Sequence, residues 1–136
     1  MPRHFDHIDL RVAKLADVTG FYEALLPALG FSRRVAVEGW FQFETTDHGV
    51  TEFFGITESA AHVPNEIRIA FWAESDAAVD RLAQVATKAG ARNVEGPMRY
   101  EEGYYAVFFE DPHGNRLEIC HRTRNAPEAG QGQKGA

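Results

Sequence analysis

The apolar pattern of this chain runs through one order of elements twice: a strand, a helix, then three strands. Residues Phe5 to Val12 alternate, with His7, Asp9 and Arg11 on one face and Ile8, Leu10 and Val12 on the other. A helix is expected from Ala16-Asp17, capped by Asp17, with Val18, Phe21, Tyr22, Leu25 and Leu29 as its apolar stripe. Pro27 should distort or end it, and Gly30 stop it. Strands over Ser32–Val37, Gly39–Glu44 and Val50–Ile56 follow, with turns at Glu38-Gly39 and Thr46-Asp47-His48-Gly49. After a connector at Glu58–Pro64 the order restarts. Glu66–Trp72 alternates as a strand, Ser75 or Asp76 caps a helix carrying Val79, Leu82, Val85, Ala86 and Ala89, and Gly90 closes it. Ala91–Val94, Tyr104–Glu110 and Leu117–His121 are the second set of three strands, with Glu95–Gly103 as a loop. Laid over each other, the two halves make His7 equivalent to Arg68 and Glu52 equivalent to Glu118.

The hairpin Tyr104–His121 (YYAVFFEDPHGNRLEICH) joins two apolar strands through Asp111-Pro112-His113-Gly114-Asn115, a run of turn formers. Leu117, Ile119 and His121 point one way; Arg116, Glu118 and Cys120 point the other. Glu118 therefore lies on a strand face backed by buried Leu and Ile, and is either solvated or held for a purpose. Tyr104 and Tyr105 are adjacent, so one faces in and one out. The inward hydroxyl is a candidate donor to a substrate.

At 136 residues the chain fits one domain with a substantial core. A formal net charge of −6 and dispersed arginines argue against nucleic acid or an anionic membrane as partner. One cysteine, Cys120, excludes a disulfide framework and any CxxC metal cluster. No signal peptide and no apolar run near 18 residues is seen, so a reducing cytoplasm is the default expectation. The tail at 125–136 is small, polar and Gly-rich and reads as flexible.

Two βαβββ modules, an H-I-x-L opening at His7–Leu10 and a D-P-x-G-N-x-x-E ending at Asp111–Glu118 resemble the vicinal-oxygen-chelate superfamily. That group includes glyoxalase I, extradiol dioxygenases, methylmalonyl-CoA epimerase and the fosfomycin and bleomycin resistance proteins. The Gly103–Phe108 run before the turn is similar to a glyoxalase-like bacterial subgroup. The resemblance implies an α+β fold in which both modules build a curved, cup-shaped mixed sheet with the helices outside. It spans a single domain at 1–124, with modules at about 5–57 and 66–122. It also implies a homodimer and a small-molecule ligand. In the family a divalent metal sits in the cup, and the corresponding positions here are His7, Glu52, Arg68 and Glu118.

Arg68 departs from that pattern, because a guanidinium does not give up a proton to bind metal. His7, Glu52 and Glu118 remain, enough for a catalytic zinc site and suited also to Fe, Mn or Ni. Arg68 either pairs with Glu118 or receives an anionic substrate group. The resemblance thus implies a glyoxalase-like lyase or isomerase, with Glu118 or Glu52 moving a proton and Arg68, Tyr104, Tyr105 and Trp72 contacting substrate. A metal-free binding protein of bleomycin-resistance type is the alternative. An extradiol-type dioxygenase is a second one, disfavoured because Arg68 removes the second histidine that such iron sites use.

Overall fold

A computed structural model describes residues 4–46, 49 and 51–123. Asp47 and His48, expected in a turn, and the tail at 125–136 lie outside the described residues. The order of elements is β1 (His7–Val12), a 3-10 turn (Leu15–Asp17), α1 (Thr19–Ala28), β2 (Arg33–Val37), β3 (Trp40–Glu44) and β4 (Phe53–Glu58). It continues with β5 (Arg68–Trp72), α2 (Asp76–Ala89), β6 (Arg92–Glu101), β7 (Tyr104–Glu110) and β8 (Arg116–Arg122). The expected βαβββ repeat is therefore present twice, in an α+β fold.

The strands divide into two four-stranded sheets, β1-β4-β3-β2 and β5-β8-β7-β6. In each, the module's first and last strands pair in parallel, and the other pairings are antiparallel. Period-2 alternation gives each sheet one apolar face. Phe41, Phe43, Phe54, Ile56, Phe71, Val107, Phe109, Leu117 and Ile119 turn inward onto α1 and α2 in one shared core. The predicted helical stripe holds in α1, which buries Phe21, Tyr22, Leu25 and Leu26.

The N-terminal end of α1 differs from expectation, while the C-terminal end follows it. Asp17 falls in the 3-10 turn, and the residue at the N-cap is Val18, which makes no side-chain cap. Pro27 stands in the last turn, and the helix ends one residue later. Its missing N–H thus lies where little ladder remains to break. In α2 the expected cap holds: Ser75 accepts from Ala78 N–H at 3.0 Å, and Gly90 closes the helix in the left-handed region at φ 115°.

The larger correction is Glu95–Gly103, which is not a loop. Most of it belongs to β6, paired to β7 with irregularities between Arg92 and Glu95, Glu95 and Met98, and Arg99 and Glu101. Gly96 (φ 89°) and Pro97, the residues that argued for a loop, are absorbed by bulges in an edge strand, where a lost ladder bond is tolerated.

Side chains tie the modules together. Buried Tyr22 of α1 donates to buried Asp111 of the β7–β8 turn at 2.6 Å. The Asp111 carboxylate also accepts from His113 N–H (2.8 Å), Asn115 N–H (2.9 Å) and the Asn115 amide (3.1 Å). Asn115 donates to the Arg11 carbonyl at 3.0 Å, and Ala13 N–H donates to His113 Nε2 at 3.2 Å. The turn that closes the hairpin is thus also a clasp on the far module.

Candidate functional site

Glu118 is set by β8. Leu117 and Ile119 on either side point into the core, so Glu118 points to the opposite face, away from α2. A carboxylate there would ordinarily be wet, yet Glu118 is only 6% exposed. Its cover comes from β7, where Phe108 is its direct cross-strand neighbour. Tyr104, further along β7, reaches back so that its hydroxyl donates to Glu118 Oε2. Ala70 and Ala106 are the small residues that leave room: Ala70 pairs with Glu118, and Ala106 lies between Tyr104 and Phe108.

Aromatic rings line this face. Tyr100 stands 5.1 Å from Phe108 and 6.2 Å from Tyr104, centroid to centroid. The Arg68 guanidinium lies 4.8 Å from the Phe108 ring centre, and that of Arg122 lies 4.2 Å from Tyr104. Burial first, then the hydrogen bond and charge of Glu118, push the Tyr104 hydroxyl well above the ordinary tyrosine range, so it stays protonated. Burial, then the charges of Glu95 and Glu118, raise Tyr100 as well. Burial, then Glu118, raises the thiol of Cys120, which leaves it a protonated and weak nucleophile.

Beside this face, at the edges of both sheets, a cleft of about 790 Å³ runs between β1 and β5. His7, Glu52, Arg68 and Trp72 line it together with Phe5, Phe31 and Phe53. His7 stacks on Phe53 at 4.4 Å and hydrogen-bonds Asp6 at 2.7 Å. Trp72 is 72% exposed.

The expected residues therefore fall into two neighbouring groups, Glu118 with Tyr104 on the sheet face and His7, Glu52 and Trp72 in the cleft, with Arg68 bordering both. Three expectations change. Arg68 and Glu118 do not pair; Glu118 is taken by Tyr104, and Arg68 stacks on Phe108. Tyr105 is the outward tyrosine. It faces α2, where its hydroxyl donates to Asp80 at 2.6 Å, so it is not in the cup. Glu52 is not the counterpart of Glu118. His7 pairs with Phe53 and Arg68 with Arg116, so two residues on, Gly55 matches Glu118. Glu52 precedes β4 and is exposed.

These donors do not fit a metal. Among the described residues no three His, Cys, Asp or Glu side chains come together closely enough to hold one. Gly55 supplies no ligand at the position matching Glu118, and Arg68 sets a fixed positive charge on the same face. The residues that the spacing did not single out are Phe108, Arg116 and Arg122. Strand parity carried the signal for the last two, since both share the face of Glu118.

Two βαβββ modules thus carry a walled carboxylate on one sheet face and an apolar cleft at the sheet edges. The chain belongs to the Glyoxalase/Bleomycin resistance protein/Dioxygenase superfamily, whose model matches residues 4–119. Among solved structures it is similar to a glyoxalase/bleomycin resistance protein from Albidiferax ferrireducens, with 27% identity, TM-score 0.74, and 88% of this chain and 98% of that one covered. It shares its fold with the fosfomycin resistance protein FosX from Mesorhizobium loti, at 23% identity and TM-score 0.66, over 90% of this chain and 95% of that one. The same holds for a glyoxalase/bleomycin resistance protein/dioxygenase family enzyme from Burkholderia phytofirmans, at 17% identity and TM-score 0.65, over 87% and 98%. No curated protein matches the chain significantly. Among the described residues no helix is long and apolar enough to cross a membrane.

Proposed function

We propose that this chain is a small-molecule isomerase or lyase of glyoxalase-like type that moves a proton with Glu118 and needs no metal to do so. The observation that carries the reading is the buried Glu118 carboxylate held by a tyrosine hydroxyl on an aromatic-lined face. A carboxylate oriented by a hydroxyl and walled by rings is held at a fixed place from which it can take a proton. Its work is to take a proton from a carbon next to a carbonyl. The electron pair of the broken C–H bond moves onto the carbonyl oxygen, and Glu118 becomes a neutral acid. Tyr104 then no longer faces a carboxylate. Its protonated hydroxyl is free to donate to the new oxyanion, in a site whose walls exclude water. Return of the proton at another carbon gives isomerisation; loss of a leaving group gives a lyase reaction.

The test is solvent exchange. A panel of small carbonyl carbon acids in deuterium oxide, followed by proton NMR, should show loss of an α-hydrogen signal with the wild-type chain. Glu118→Gln should slow exchange by about 100-fold or more. Protein treated with chelator and then dialysed should exchange at the untreated rate. Exchange that survives Glu118→Gln, or that chelation abolishes, refutes the reading. A metal-free binding protein is the second reading, favoured by Arg68 in place of a ligand. Saturable binding with no exchange across the panel would select it.

A further inference from the structure

We propose that the molecule taken by this cup is an organic carboxylate with an apolar body, and that Arg68 and Arg116 together receive its carboxylate beside Glu118. The assignment rests on the cup being the binding site, as above, and names what it selects.

The arginines of this acidic chain sort themselves by place. Arg11, Arg33, Arg34, Arg92 and Arg99 each pair with a carboxylate, those of Asp9, Glu44, Glu23, Glu110 and Asp76. Among the described residues Arg68, Arg116 and Arg122 have no such partner, and all three share the face of Glu118; Arg81, on α2, is the other. Arg68 and Arg116 are direct partners in the β5–β8 ladder. Like charges opposite each other on a sheet repel. Glu110 stands opposite Arg116 on β7, but its carboxylate is engaged by Asn93 and Arg92, and among the described residues no carboxylate forms an ion pair with Arg68 or Arg116. An incoming anion completes the arrangement.

The chemistry of Arg68 favours a planar anion. Stacking on Phe108 holds the guanidinium in place while leaving its N–H edge free to donate. That edge is a fork matched to the two oxygens of a carboxylate. Arg68 also borders the cleft lined by Phe5, Phe31, Phe53 and Trp72, so an apolar body joined to the anion has a wall to lie against. Glu118 is two residues from Arg116 on the same strand face, about 7 Å along β8. A carbon two or three bonds from the bound carboxylate reaches the Glu118 base.

The experiment is a nitrogen–proton NMR titration of the full chain with benzoate, with its neutral isostere benzamide, and with phenyl phosphate. Benzoate should bind saturably, about tenfold or more tighter than benzamide, with shifts at Arg68, Arg116 and Trp72. Arg68→Gln and Arg116→Gln should each weaken benzoate about tenfold and leave benzamide unchanged. Arg68→Lys, which keeps charge without the fork, should recover part of the loss. Equal affinity for benzoate and benzamide, no saturable benzoate binding, or benzoate binding indifferent to both Gln variants overturns the proposal. Phenyl phosphate binding as tightly as benzoate overturns the planar carboxylate. Glu118→Gln separates the two readings: it should slow proton exchange about 100-fold or more yet keep or tighten benzoate binding. If exchange survives that variant while benzoate selectivity stands, the proton-transfer reading falls and the anion site remains.

Discussion

Tyr22→Phe isolates one hydrogen bond in the clasp between the modules. Tyr22 and Asp111 are both fully buried, with the hydroxyl 2.6 Å from the carboxylate. The variant keeps the ring and its packing on Phe21 and Phe54. Asp111 loses one donor of four, so the charge is not orphaned. The loss should therefore be that of a single bond to a charged acceptor, about 1.5–3 kcal/mol. For a domain of this size, with a sensitivity of about 3–5 °C per kcal/mol, that is a fall in melting temperature of about 5–15 °C. Urea unfolding at pH 7, read by circular dichroism, measures it.

A second readout is pH. Burial first, then the charge of Asp111, raise the Tyr22 hydroxyl well above its ordinary 10.0. A raised folded-state value means the stabilisation is complete below about pH 10 and is lost as pH climbs toward the folded value. The phenylalanine variant has no such group. The gap between wild type and variant should accordingly narrow above pH 10. A loss under about 0.5 kcal/mol at pH 7, or a gap that does not narrow in alkali, refutes the account of the clasp.

Two further outcomes are expected. A Cβ at Gly96 would stand 2.8 Å from the Ala106 carbonyl oxygen at φ +89°, whereas one at Gly39, with φ +87°, meets nothing within 4 Å. Urea midpoints should show Gly96→Ala costing more than about 1 kcal/mol and clearly more than Gly39→Ala, because only the first adds a collision to the backbone strain. Asp76 accepts from His121 and Arg99, and the His121 bond is the main cause of its lowered carboxyl value. Its contribution is therefore present above its ordinary 3.8 and lost as pH falls through the folded value below that. Acid unfolding of Asp76→Asn should show a shallower decline below about pH 4 than wild type, and an identical acid limb would count against the pairing.

The repeat was legible because amphipathic period decides it. Alternation in His7–Val12 and Tyr104–Glu110, and the helical stripe of α2, point to the same faces that pack in the core. Parity likewise placed Glu118 and Arg68 on the cup face. What spacing did not reveal was register. Aligning Glu52 with Glu118 matched similar residues three positions out of step, and only the ladder shows that Gly55 holds the matching place. Nor did spacing reveal reach. Tyr104 and Arg68 act on Glu118 and Phe108 across strands, through side-chain length and rotamer. Gly96 and Pro97 misled in the opposite direction, since a bulged edge strand accepts residues that a central strand refuses.

The two sheets share no ladder, so the spacing between their edges is set by side chains alone. Phe54 and Phe71 meet across that junction at 5.3 Å, and Phe31 meets Phe71 at 6.3 Å. The same three residues line the cleft. Ring size at these positions thus acts as a gauge block for the cleft: trimming one should widen the slot by the part of the removed volume that its neighbours do not refill. In this architecture the width of the cleft is a property of core volume, adjustable one side chain at a time.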